Sequence, residues 1–141
     1  MQDTKLEYDS WLSEQVKLLR TRNFEHLDIN NLIEELEALG RAEKSAVKSL
    51  TYQIILHLLL IDYWSDESVY NKDHWRAEVD AFQLQLEDKL TTNLKQLIED
   101  NLPRLYEKAK TNAARKSRLR EDCFPSCCPY TLGDIEGRLD D

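Results

Sequence analysis

His57 falls seven residues after Leu50 and three after Ile54, on the apolar face of the most hydrophobic stretch of the sequence. An imidazole placed there needs a hydrogen-bond partner. A carboxylate from the preceding helical segment, Glu35 or Glu37, would pair with it and serve either metal binding or acid and base chemistry. The competing reading is a core histidine bonded to one acceptor, which fixes packing and does no chemistry. Spacing favours the second, because helical di-metal sites draw on Glu from several helices together with Glu-x-x-His pairs, and no E-x-x-H occurs. At about 100° per residue Glu34 stands opposite the apolar face of Leu32, Ile33 and Leu36, with Glu35 and Glu37 on its two flanks. Three carboxylates so spread cannot converge on one ion, so no metal site and no cofactor are expected.

Cys123, Cys127 and Cys128 form C-x3-C-C, but tetrahedral structural zinc needs four ligands, and His26, His57 and His74 all lie far off in sequence. Cys128, just before Pro129, reads as a packing residue and the other two as incidental thiols. Trp64, Tyr70, His74, Trp75 and Arg76 gather aromatic and cationic side chains of the kinds enriched at interface hot spots. They offer a ligand or partner patch, although Trp75 also opens a regular apolar stripe and suits a core plug. Between Arg104 and Arg120 seven basic residues face only Glu107, either a nucleic-acid surface or the wet side of a helix. Interleaved stacking aromatics are missing, and a net charge of −8 opposes attraction to phosphate backbones. No G-x-x-x-x-G-K, G-x-G-x-x-G, H-E-x-x-H or G-x-S-x-G occurs.

The elements that must position these residues are helices. The 141 residues suffice for one core, and three Gly with three Pro leave few breaks. A Thr4–Glu7 capping box opens a first helix carrying Tyr8, Trp11, Leu12, Val16 and Leu19. Asp28 suits the N-cap of a second, with Ile29, Leu32, Ile33, Leu36 and Leu39 as its apolar face, and Gly40 closes or bends it. A third runs from Arg41 through Val47, Leu50, Ile54, His57 and Leu58 to Ile61 and is apolar nearly all round, as a central helix is. Residues 62–73 lose the helical period and read as a loop. A fourth helix follows from His74 with Trp75, Val79, Phe82, Leu86 and Leu90, and a fifth from the Thr91–Asn93 cap, with Pro103 kinking or splitting it. Thr131, with Asp134 at its third position and Tyr130 packing on Ile135, caps a short last helix. The expectation is an all-α chain with no sheet. It forms a single bundle of about five helices and a short C-terminal one, a domain over residues 1–141 with 120–141 as a tail packed on it.

The start, MQDTKLEYDSWL, lacks the basic and apolar regions of a secretory signal. The longest apolar stretch, from Ile54 to Ile61, falls far short of the roughly 20 residues a membrane span requires. An odd number of clustered cysteines fits a reducing compartment. A cytoplasmic location away from the membrane is expected.

Several segments resemble the bacterial family catalogued as domain of unknown function 29. They are Trp11, Leu12 and Gln15; Leu18 to Arg20; the run of Leu27, Asp28, Asn31, Leu32, Glu34, Glu35, Glu37 and Gly40; His57 to Leu59; Trp75; Tyr106 with Ala109; and Phe124, Pro125, Cys128, Pro129, Tyr130, Thr131 and Leu132. Two departures stand out: Leu60 where relatives carry lysine, and Gly133 to Gly137 in place of a stronger final helix. The resemblance implies an all-helical fold and brings no activity, catalytic residue or partner with it. The reading that results is a cytoplasmic, non-catalytic interaction or adaptor protein with a protein partner or a second copy of itself. An enzyme using His57 with Glu35 or Glu37 is the alternative, and nucleic-acid association through 104–120 comes third.

Overall fold

Apolar residues recurring at three and four residue intervals fold as helices throughout the computed structural model, which describes residues 4–137, with side chains from Glu7 onward. α1 spans Thr4–Arg20, α2 Ile29–Tyr63, α3 Ser65–Lys89, α4 Thr92–Ser117 and α5 Leu132–Glu136, with single 3-10 turns at Phe24–His26 and Glu121–Cys123. There is no strand among the described residues, so the all-α expectation holds. The side chain of Thr4, half of the expected capping box, lies outside the described ones.

Two boundaries differ from the expected ones. Gly40 closes no helix, and α2 runs unbroken from Ile29 to Tyr63. A glycine stops a helix when the next turn needs a left-handed residue, and Gly40 meets no such demand; a Cβ added to it would touch nothing within 4 Å. The expected loop over 62–73 shrinks to one residue, Trp64, at φ −99° and ψ 68°. The next residues are polar yet helical, and Ser68 ties the ends together: its N–H donates to the Trp64 carbonyl at 2.8 Å and its hydroxyl to that of Ile61 at 3.0 Å.

The chain divides into two compact units, Met1–Gly40 and Arg41–Asp141. In the first, α1 ends in a Schellman motif, with Arg22 at φ 58°, Asn23 N–H bonded to the Leu18 carbonyl and Arg22 N–H to that of Leu19. Hydrogen bonds then pair Tyr8 with Glu35 and Gln15 with Asp28, so α1 and the start of α2 run antiparallel. In the second unit the C-terminal half of α2 supplies the core, with Val47, Ile54, Ile55, Leu59 and Leu60 fully buried. Each such side chain contributes about 1.5–3 kcal/mol relative to exposure. Trp75, Val79 and Leu86 of α3 and Ile98, Leu105, Tyr106, Ala109 and Ala113 of α4 complete it.

The caps read from sequence at Thr91 and Thr131 form as expected. Thr91 accepts from Leu94 N–H at 3.2 Å, and Thr131 with Asp134 makes a full capping box. Between the last two helices the 124–131 segment is pinned by side chains. Phe124 is buried with its ring 5.9 Å from Tyr63, Tyr106 donates to the Pro125 carbonyl, and Tyr130 donates to Asp62 at 2.7 Å. Cys128 is half-buried, and burial pushes its thiol pKa up.

Candidate functional site

His57 is buried, as its place on the apolar face of α2 requires, and both ring nitrogens are engaged. Nδ1 lies 2.7 Å from the Gln53 carbonyl one turn back. A carbonyl only accepts, so Nδ1 carries the proton. Nε2 lies 2.5 Å from Glu78 Oε2, and the other oxygen of that carboxylate receives His74 Nε2 at 3.1 Å, four residues back on α3. The partner is therefore Glu78, and neither Glu35 nor Glu37. Both of those lie on the same helix as His57, far beyond the three or four residue spacing at which side chains of one helix meet. Phe82 lies against the imidazole at 5.5 Å between centroids. The only hint of Glu78 in the sequence was its i,i+4 relation to His74. No group of three or more His, Cys, Asp or Glu side chains able to hold a metal ion occurs among the described residues.

The aromatic patch separates into parts. Trp75 is buried in the core and Trp64 stacks on it, 5.7 Å apart at 23°. Tyr70 and Arg76 point to solvent. Arg76 borders a polar cleft of about 520 Å³ with Asp62, Asp80, Tyr130 and Asp134. A second groove, of about 560 Å³, is lined by Lys48, Ser49, Tyr52, Lys108, Thr111 and Asn112, with Asn112 donating to the Tyr52 hydroxyl. In the basic segment Lys110 reaches Glu107 at 3.4 Å and lies over the Tyr106 ring, and Arg120 reaches Asp122 at 3.2 Å. Arg104, Lys108, Arg115, Lys116 and Arg118 are exposed.

The largest departure from the sequence reading lies in the first unit. Trp11 Nε1 donates to Asp28 at 2.9 Å, Asn31 donates to the same oxygen at 2.7 Å, and Gln15 accepts from Asp28 N–H at 2.9 Å. The bonds from Asn31 and Trp11 hold the Asp28 carboxyl below its ordinary pKa. Tyr8 donates to Glu35 at 2.6 Å, which raises its phenol pKa. This seam is mostly polar. Gln15 and Leu18 are the only buried side chains among the described residues of the unit.

The apolar faces expected to be core are instead exposed: Tyr8, Leu12, Val16 and Leu19 on α1, and Ile29, Ile33 and Leu36 on α2, each between 38% and 63% accessible. At about 100° per residue the α1 group sits a quarter-turn from the Trp11, Gln15, Leu18 seam, and the α2 group a quarter-turn the same way from Asp28, Leu32 and Glu35. In antiparallel helices equal turns along the sequence are mirrored in space. Both groups therefore emerge on one side of the hairpin. Periodicity in the sequence marks each group as an apolar face of its own helix; it carries no information on what covers either.

No helix of the described residues is long and apolar enough to cross a membrane. Among known proteins, the family model described as domain of unknown function DUF29 matches residues 5–138. No curated protein and no solved structure matches the chain.

Proposed function

The chain belongs to the DUF29 family, whose description assigns no activity, and we propose that it works by holding another polypeptide, as a non-catalytic interaction module whose contact surface is the N-terminal helical hairpin. The observation that carries this reading is the seven large apolar side chains exposed on one side of that hairpin. Contiguous exposed apolar patches of this kind mark binding surfaces, whereas single exposed hydrophobic residues do not. A reducing, cytoplasmic setting belongs to the same proposal and accords with the three free thiols.

Acid and base chemistry at His57 has weaker support. The ring has a carboxylate partner, as a catalytic imidazole would, but both nitrogens are already engaged within the fold and the ring is buried. That arrangement fits a histidine that orders the core.

A photo-crosslinking amino acid at Leu36, compared with one at Glu34 on the outer side of the same helix, tests the interaction reading in living cells. Adducts from position 36 alone are expected. Equal labelling from both positions, or none from either, would set the reading aside.

A further inference from the structure

We propose that the occupant of the hairpin face is the same face of a second copy of this chain, so that two hairpins close into a four-helix bundle and the protein is a dimer. The inference rests on the interaction reading above and names its partner.

Three observations lead to a second copy. The first is that the hairpin lacks an interior. With only Gln15 and Leu18 buried among its described residues, two helices of this length have too little packing to stand alone, since isolated helices are marginal and units of about 40 residues need outside support. The second is composition. The seven exposed side chains of the face are all uncharged, which gives it the character of a core cut in half, the mark of obligate self-association more than of transient contact. The third is area. Seven side chains at roughly half exposure present on the order of 600 Å² per copy, so two copies bring together about 1,200 Å² before any polar rim is counted, the lower end of what a stable interface buries. An antiparallel hairpin with one apolar side is also self-complementary under a two-fold axis, and the product is an ordinary bundle.

Charge argues against the other broad candidate, a lipid surface. Residues 1–40 carry four Lys and Arg against nine Asp and Glu, which anionic headgroups repel. The same excess makes two copies repel weakly at long range, so the dimer tightens as salt screens that repulsion and strengthens apolar burial.

Light scattering on the eluting 141-residue chain tests the proposal. The wild type is expected at twice the 16.6 kDa chain mass, and Leu12→Asp with Leu36→Asp at the mass of one chain with its helicity kept. Burying unpaired carboxylates raises the dissociation constant on the order of a hundredfold or more. Should the double variant lose helicity, hydrogen exchange on the wild type decides instead: amides of 8–19 and 29–36 gain protection with concentration if the face is the interface, and concentration-independent exchange there overturns the proposal. A dimer that survives both substitutions uses another surface and also overturns it. So does a wild type that stays monomeric at its solubility limit. In that last event the dye 8-anilinonaphthalene-1-sulfonate separates the two levels: binding lost in the double variant leaves an interaction face with a different occupant, and no binding by the wild type removes the interaction reading as well.

Discussion

Removing Glu78 should cost the fold more than removing the buried histidine it bonds. In Glu78→Ala the imidazole stays buried with Nδ1 on Gln53 and Nε2 stripped of its partner. A hydrogen bond involving a charged group contributes about 1.5–3 kcal/mol, and the 38% exposure of the Glu78 side chain puts this one at the low end. With the partial desolvation of the orphaned nitrogen, the expected loss is about 2 kcal/mol. His57→Leu, by contrast, substitutes an apolar side chain of similar size at an apolar position and leaves Glu78 able to reach water, so about 1 kcal/mol or less is expected. The double variant should resemble His57→Leu, which gives a coupling energy of about 2 kcal/mol. Urea unfolding followed by tryptophan fluorescence measures all four corners of the cycle. A Trp11→Phe background confines the signal to Trp64 and Trp75, which stack in the unit that holds the pair. Coupling within about 0.3 kcal/mol of zero, or a greater cost for His57→Leu than for Glu78→Ala, would refute the argument that the pair orders the core.

Alkaline pH should unfold the second unit through its phenols. Burial pushes Tyr106 up to about 12 from 10.0, and Tyr130 is raised by burial together with its bond to Asp62. The folded chain keeps protons that the unfolded chain releases, so stability falls as pH rises from 10.0 towards about 12, by about 1.4 kcal/mol per unit for Tyr106 alone. Tyr106→Phe should lose about 1 kcal/mol at neutral pH with its bond to the Pro125 carbonyl and show a shallower alkaline slope in urea midpoints; an unchanged slope would disprove the assignment. Gly40→Ala should raise stability by about 0.5–1 kcal/mol, because the position is helical and open, with thermal melting by circular dichroism as the check. A lower melting temperature would mean that Gly40 is needed for something other than helix continuity.

Local chemistry was the legible part of the sequence. Thr91, Thr131 and Asp134 announce helix starts because a capping bond spans three residues and needs nothing distant. The C-terminal half of α2 declares itself because it is apolar all round, which only a central helix can be. The 62–73 loop was misread because polar residues weaken the hydrophobic period without weakening the helix, and Trp64 alone breaks the backbone there. Glu78 was missed because its partnership with His57 joins α2 to α3, a tertiary fact that spacing along one helix does not encode. The exposed hairpin face marks the same boundary from the other side. Periodicity says that a surface is apolar and stays silent on whether this chain or another molecule covers it.

The pinned 124–131 segment has a consequence for how the protein is made. Its anchors, Tyr63, Asp62 and Tyr106, leave the ribosome before the residues that close on them. At about 5–20 residues per second the delay is on the order of seconds, long compared with helix formation and collapse. During that interval the nascent chain displays the apolar surface that Phe124 and Ile135 later bury. A translation product stopped before Phe124 is thus a client for chaperones and proteases, and the segment from Phe124 to Ile135 acts as the quality mark that separates a closed core from an open one.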